Sequence, residues 1–142
     1  MKLTVTITHA PDPADNAVIS RGLFSEYAAL VGEPDRDFSV FLKEESGKVI
    51  GGVQASLDTE QIYIKALWVD EAYRHQGYGK QLLIAAEQEG LQQGCHLSVV
   101  ETWDFQAEAF YVKNGYARIG EIKNYWKSHA MIFLRKTLKN TP

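Results

Sequence analysis

Cysteine is almost absent from this sequence of 142 residues, since Cys95 is its one thiol. A single thiol excludes an internal disulfide and a zinc site built on cysteines, and we expect no metal. No apolar run approaches the ~18 residues that span a bilayer, and the alternating residues 2–8 lack the apolar block of a signal peptide. We therefore expect a cytoplasmic protein with no membrane partner.

Positive charge is limited as well. The chain has 15 Lys and Arg against 18 Asp and Glu, a formal net charge of −3, and its basic residues are scattered. A nucleic-acid surface needs a basic stripe, so we expect no nucleic-acid partner. A chain of this length fits a single domain, residues 1–142.

The hydrophobic pattern predicts an α/β (α+β) fold, with a mixed sheet flanked by helices in the order β-α-β-β-β-α-β-α-β-β. Asp12 and Pro13 provide a helix start, Gly32 a stop, and Gly22 a point where that helix could divide. The predicted strands are 2–8, 38–42, 49–57, 62–69, 96–101, 116–122 and 130–136, and the predicted helices are 14–31, 78–92 and 105–113. The unit 62–69/78–92/96–101 reads as a parallel crossover.

A glycine loop joins the strand at 62–69 to the following helix. Such a loop exposes the unpaired N–H groups of the first helical turn, which attract anions. A Walker A loop fails here, because Arg74 and Gln81 stand where glycine and Ser or Thr are needed. A Rossmann loop fails because Leu82 replaces the third glycine. What remains is Arg-x-x-Gly-x-Gly, at Arg74, Gly77 and Gly79.

This loop resembles the acetyl-CoA pyrophosphate loop of the GCN5-related N-acetyltransferases. A second motif lies about 30 residues on, where the family has Asn-x-x-Ala-x-x-x-Tyr-x-x-x-Gly followed by Phe or Tyr. Ala107, Tyr111, Gly115 and Tyr116 match this motif, with Asp104 in place of Asn. Two motifs in the expected order indicate the family more strongly than either one alone.

The resemblance implies a mostly antiparallel sheet with a splayed central strand pair and an acetyl-CoA site. It implies that the strand near Leu67 to Val69 pairs with the pantetheine arm, while the loop N–H groups hold the pyrophosphate. The residues assigned to acetyl-CoA are Leu67, Trp68, Val69, Arg74, His75, Gln76, Gly77, Tyr78, Gly79, Lys80, Asp104 and Ala107. Lys80 is equally well read as a solvated helix residue.

Two residues are candidates for the catalytic proton transfers. Tyr111 is assigned as the general acid for the departing CoA sulfur, with the alternative that its hydroxyl only orders CoA. Glu101 is the candidate base, with the alternative of a solvated carboxylate. Weaker base candidates are Glu26, Glu60 and His129.

The C-terminal region resembles a group of small bacterial members, whose Tyr-Pro-x-Gly-His is here Tyr125-Trp126-Lys127-Ser128-His129. Trp68 and Trp126 are candidates for an acceptor pocket. The implied function is transfer of acetyl from acetyl-CoA to a primary amine of a small molecule or peptide, in a chain that could form a homodimer. A non-catalytic acyl-CoA sensor and an interaction module remain as alternatives.

Overall fold

A computed structural model describes residues 1–32 and 35–139. The helices are α1 (Pro13–Val31), α2 (Tyr78–Gln92) and α3 (Glu108–Lys113), and the strands are β1 (Arg36–Lys43), β2 (Val49–Asp58), β3 (Gln61–Val69), β4 (Leu97–Trp103), β5 (Ala117–Trp126) and β6 (His129–Thr137). A short 3-10 turn, Glu71–Tyr73, lies between β3 and α2. The chain divides into the units Met1–Pro34 and Asp35–Pro142.

The first unit contains α1, which is continuous through Gly22. The Asp12 carboxylate caps it by accepting the Ala14 N–H at 2.9 Å, and the Gly32 N–H closes it on the Ala28 carbonyl at 2.8 Å. These are the predicted start and stop. The predicted strand at 2–8 is wrong, because those residues form no strand and their apolar side chains are exposed. Alternation shows which side chains share a face, but a strand also needs a hydrogen-bonded neighbour.

The second unit is built on a six-stranded sheet in the order β1-β2-β3-β4-β6-β5. Every neighbouring pair is antiparallel except β3 and β4, which are parallel and joined through α2. The predicted crossover and the mixed, mostly antiparallel sheet are therefore confirmed. Among the described residues, no helix has the length and apolar character that a membrane crossing requires.

Helix α2 covers one face of the sheet and completes the core. Leu83 and Ala86 pack with Ile62 and Val100, all nearly inaccessible to solvent. Gly90 allows the close approach, because a Cβ there would lie 2.7 Å from Cγ2 of Ile62. Cys95 belongs to the same core, as expected for a small hydrophobic side chain.

In the C-terminal part of the chain, the start of α3 and the end of β5 differ most from the predictions. Helix α3 starts at Glu108 and not at 105, because a turn occupies the preceding residues. In that turn the Gln106 N–H donates to the Trp103 carbonyl and the Ala107 N–H donates to Thr102 Oγ1. Strand β5 also extends to Trp126, well beyond the predicted end at 122.

Candidate active site

The site begins where the central strands separate. Strands β3 and β4 pair only as far as Ile64 and Val100. At the next residue, Lys65, β3 has one more residue than β2, since Ile64 pairs with Ala55 but Ala66 pairs with Gln54. Such a bulge bends its strand and increases the local twist. The backbone edge of residues 66–69 that would face β4 is thereby left without a strand partner, as a splayed pair implies.

The loop after β3 is held against the end of that strand. The Arg74 Nε–H donates to the Val69 carbonyl at 2.8 Å. The backbone then turns through two left-handed residues, His75 at φ 61° and Gly77 at φ 86°. Left-handed backbone is costly for residues with a Cβ, which explains glycine at position 77. Arg74 thus fixes the position of the loop in addition to supplying charge.

Helix α2 begins immediately after this loop, and no side chain caps it. The Gln81 N–H donates to the Gly77 carbonyl at 3.2 Å, so the preceding N–H groups of Tyr78 to Lys80 have no acceptor inside the helix. No acidic residue lies in the first turn. An uncapped helix start with this dipole direction favours a bound anion.

A cavity of about 650 Å³ lies between the end of β3, the loop and α3. Of the residues predicted to bind acetyl-CoA, those lining it are Leu67, Val69, Arg74, His75, Gly77, Tyr78, Gly79, Lys80 and Ala107. Lys113 adds a third long cation beside Arg74 and Lys80, and the lining includes no Asp or Glu. The cavity is therefore large enough for a sizeable ligand and is positively charged along its lining.

The cavity lining also includes residues that the motifs did not identify. These residues are Tyr73, Phe110, Lys113 and Asn114. Gly79 faces Phe110, since a Cβ at position 79 would lie 3.4 Å from that ring. For one of them, Lys113, the sequence offered a signal, because it lies in the last turn of the predicted helix, two residues after the predicted site residue Tyr111.

Three predicted cofactor residues are absent from this lining. Trp68 is exposed on β3 and alternates with Leu67 and Val69, which places it on the other face of the sheet. Gln76 is an exposed loop residue. Asp104 is engaged elsewhere, because its carboxylate contacts His129 Nδ1 and accepts the Ala130 N–H, each at 2.9 Å.

Tyr111 and Tyr116 lie side by side, with ring centroids 5.4 Å apart, but their hydroxyl groups differ. The Tyr116 hydroxyl donates to Glu87 at 2.8 Å and is bonded to Ser98 at 2.7 Å. The Tyr111 hydroxyl has no hydrogen-bond partner in the described part of the chain. Tyr111 is only 5% exposed and is not among the residues that line the cavity, although its neighbour Phe110 is.

Glu101 lies inside β4, not at its end as predicted. Its carboxylate accepts a hydrogen bond of 2.5 Å from the Tyr63 hydroxyl on β3, across the point where the strands separate. Burial, followed by this bond to Glu101, raises the pKa of Tyr63 to about 12. Tyr63 therefore stays a donor to the carboxylate at neutral pH, a role that sequence reasoning missed.

Strand β4 divides these groups between two faces. Val100 and Thr102 are buried, and Thr102 holds Ala107 through its hydroxyl on the cavity side. Glu101 and Trp103 alternate with them and lie on the opposite face. The β3–β4 pairing ends at Ile64 and Val100, so beyond these residues no strand pairing lies between the cavity and the face that carries Glu101. The described residues contain no cluster of His, Cys, Asp and Glu suited to a metal ion.

Comparison with known proteins gives a consistent picture. The profile of the acetyltransferase (GNAT) family matches residues 6–116. Blasticidin-S acetyltransferase of Streptomyces morookaense is 35% identical over 89 residues, which are 62% of this chain and 65% of that enzyme, slightly less than two thirds of its length. Acetyltransferase Atu2258 of Agrobacterium fabrum is 26% identical over 135 residues, covering 94% of this chain and 98% of that protein. The crystal structure of an acetyltransferase from Bacillus cereus has a TM-score of 0.80 at 31% identity, covering 94% of this chain and 98% of that one.

Proposed function

Since the chain belongs to the acetyltransferase (GNAT) family, we propose that it transfers an acetyl group from acetyl-CoA to a primary amine, as a single domain over residues 1–142. The observation that carries this proposal is the cavity, which joins an uncapped helix start and three cations to an unpaired strand edge. The helix start and the cations suit the anionic nucleotide of acetyl-CoA, and the unpaired strand edge suits the arm that carries the thioester. A homodimer and a cytoplasmic location stay predictions of the sequence.

The diphosphate of acetyl-CoA is assigned to the loop and the start of α2. The N–H groups from Gly77 to Lys80 would donate to its oxygens, and the helix dipole adds roughly half a positive charge. Arg74, Lys80 and Lys113 supply charge around the same cavity. The fixed Arg74–Val69 contact supports a loop that is shaped before the ligand arrives.

The thioester is assigned to the unpaired edge of β3. Leu67 and Val69 line the cavity, and the adjacent backbone has no β4 partner to satisfy its polar groups. Pairing with the pantetheine amides would fill that role and align the carbonyl. One backbone N–H directed at the developing oxyanion typically contributes about 3–4 kcal/mol of transition-state stabilisation.

Tyr111 is the proposed proton donor to the departing sulfur. Burial raises its pKa to about 12, so the phenol is protonated at neutral pH. An ordinary thiol has a pKa of about 8.5, so complete proton transfer that leaves a phenolate would cost about 5 kcal/mol. Tyr111 therefore donates a hydrogen bond that strengthens as the C–S bond breaks, and its proton moves only as the amine releases one.

Glu101 is the proposed acceptor of the amine proton, directly or through water. Its carboxylate is exposed, lies on the face opposite the cavity, and is positioned by Tyr63. The amine thus approaches from one face of the sheet while the thioester lies on the other. Direct attack is supported by the cavity lining, whose described residues include no cysteine, serine or threonine that could carry the acetyl group.

A small-molecule amine is the proposed acceptor. Blasticidin-S acetyltransferase, the curated relative with 35% identity, bears the name of such a substrate. The net charge of −3 favours a cationic acceptor through steering. The acceptor is tested by incubating the protein with acetyl-CoA and single amines, and by following thiol release together with the mass of the acetylated product. The panel contains blasticidin S, alkyl amines, polyamines and short peptides.

Two results are expected. Acetyl-CoA at 100 times its Kd should raise the free energy of unfolding by about 2.7 kcal/mol, and one class of amine should accelerate thiol release over the amine-free control. Absence of any thermal shift at millimolar acetyl-CoA would contradict the CoA site. A shift without turnover for every amine in the panel would favour the acyl-CoA sensor.

A further inference from the structure

Aromatic side chains gather where β4 ends and the β5–β6 hairpin turns. We call this group the hairpin cluster; its members are Trp103, Phe105, Tyr125, Trp126 and His129. Trp103 is stacked on Phe105 with ring planes 10° apart and centroids 5.7 Å apart. The Trp103 ring centroid also lies 5.3 Å from that of Tyr125 and 5.9 Å from that of Trp126. His129 completes the group, with its ring centroid 4.7 Å from that of Phe105 and 6.3 Å from that of Trp126.

The rings of this cluster are not a core. Phe105, Tyr125 and Trp126 are 53%, 52% and 50% exposed, although they contact one another through Trp103 and His129. Single exposed hydrophobic side chains are ordinary on a protein surface, whereas contiguous apolar surface marks a binding site. Half-exposed rings that already support each other offer faces to a ligand without first having to be ordered.

The hairpin keeps this shape although its turn has an unfavourable backbone conformation. Asp104 ties it to the end of β4 through its contacts with His129 and Ala130. The turn residues Lys127 and Ser128 both have left-handed backbone, at φ 46° and 66°, where such a turn usually carries Asn-Gly. Strained backbone of this kind concentrates at functional sites.

The charged side chains around the cluster indicate the sign of the charge on its ligand. The Nζ atom of Lys127 lies 4.9 Å from the Trp126 ring centroid, so a cation already occupies one face. The Asp104 carboxylate is partly exposed beside His129. The hydrogen bond from the Ala130 N–H, and secondly His129, lower the pKa of Asp104, which keeps it ionised at neutral pH. Aromatic faces beside a carboxylate favour a positively charged group.

The cluster is also within reach of the proposed chemistry. Trp103 and Glu101 lie on the same face of β4, two residues apart, which is roughly 7 Å along a strand. A body stacked on the cluster could therefore place an amine on a two- or three-atom chain beside Glu101.

We propose that the hairpin cluster is the subsite for the body of the acceptor, and that this body is planar and carries positive charge. This inference rests on the proposed function and names the acceptor class. Trp126 and Phe105 provide the stacking faces, Asp104 provides the opposite charge, and Lys127 leaves Trp126 when the ligand arrives.

The experiment compares three amines that share a two-carbon chain: 4-(2-aminoethyl)-1-methylpyridinium with a planar cationic ring, 2-phenylethylamine with a planar neutral ring, and 2-cyclohexylethylamine with a puckered neutral ring. Binding is measured by tryptophan fluorescence excited at a wavelength that none of the amines absorbs, with and without saturating CoA. We expect the pyridinium amine to bind at least about fivefold more tightly than 2-phenylethylamine, and 2-phenylethylamine to bind more tightly than 2-cyclohexylethylamine. Trp126→Ala should remove both preferences, and Trp126→Phe should retain part of each.

Phe41→Ala is the matched control. Phe41 is an exposed ring on β1 that also carries a lysine, with Lys43 Nζ 5.5 Å from its centroid, but it lies outside the cluster. Its loss should leave the three amine affinities unchanged. Equal affinity of the wild type for the pyridinium amine and 2-phenylethylamine, equal affinity for 2-phenylethylamine and 2-cyclohexylethylamine, or an equal effect of Phe41→Ala and Trp126→Ala would each overturn the inference. Because binding is measured without turnover, a failure of acetyl transfer alone would count against the proposed function and not against this subsite.

Discussion

Removing the hydroxyl groups of two neighbouring tyrosines, one at a time, should separate catalysis from stability. Tyr111 and Tyr116 have rings 5.4 Å apart and both are at most 5% exposed. The change to phenylalanine removes one oxygen from each and keeps the ring packing. The two changes differ because, in the described part of the chain, the Tyr116 hydroxyl has hydrogen-bond partners and the Tyr111 hydroxyl has none.

Tyr116→Phe should destabilise the fold. Its hydroxyl is shared by Glu87 and Ser98, both buried. Among the described residues, Glu87 would retain only the Lys136 ammonium at 2.8 Å. Leaving buried polar groups short of a partner costs about 1–3 kcal/mol, with the upper half expected where one partner is a carboxylate. A loss of about 2–3 kcal/mol lowers Tm by roughly 5–10 °C in a chain of this size.

Tyr111→Phe should instead lower activity and leave the stability of the fold nearly unchanged. Its hydroxyl has no partner in the described part of the chain, so we expect the free energy of unfolding to change by less than about 0.5 kcal/mol. The turnover number should fall tenfold or more, a loss of at least about 1.4 kcal/mol of transition-state stabilisation. Acetyl-CoA affinity should stay near the wild-type value, because a proton donor acts mainly as the sulfur leaves.

Both variants are assayed in the same way, by urea unfolding followed through tryptophan fluorescence and by thiol release at saturating substrates. Full turnover by Tyr111→Phe would falsify its role as general acid and leave it as a residue that orders CoA. Equal losses of stability in the two variants would contradict the contrast drawn from their hydrogen bonds.

Two further predictions concern the cavity and the core. Lys80→Gln and Lys113→Gln should each raise the Kd of acetyl-CoA by about 2–5 fold at low salt and by less at high salt, since each removes one solvent-exposed charge. The control Lys48→Gln, on the β1–β2 turn, should leave the Kd unchanged. The Kd is measured by calorimetric titration, and an equal response of all three variants would count against a local charge effect. Gly90→Ala should lower the free energy of unfolding by about 1–3 kcal/mol, because the new Cβ would lie 2.7 Å from Cγ2 of Ile62. Gly22→Ala should raise it by about 0.5–1 kcal/mol, because no described atom lies within 4 Å of a Cβ at that position of α1. Similar effects of the two changes in chemical denaturation would contradict this account of the packing.

Local sequence signals predicted much of the fold. Three features depend on residues that are close together in the chain. These are the capping of α1 by Asp12 and Gly32, the crossover through α2, and the glycine loop before α2. Such signals are readable because turn and cap preferences act within a few residues. They failed at residues 2–8, where the alternating pattern was present but a strand was not.

The finer chemistry of the site depends on contacts between distant residues. Nothing adjacent to Tyr116 indicates that Glu87 and Ser98 engage its hydroxyl, and this contact is what distinguishes it from Tyr111. The pairing of Tyr63 with Glu101 likewise follows from the register between β3 and β4. Sheet register and side-chain partners are set by the whole packed structure.

The most direct measurement is a backbone amide NMR titration of the protein with acetyl-CoA. We expect the largest changes in amide shift at Gly77 to Lys80, where the N–H groups would donate to the diphosphate, and at residues 66–69, where the unpaired strand edge would receive the pantetheine. A titration that saturates while both segments stay unmoved would contradict the proposed acetyl-CoA site.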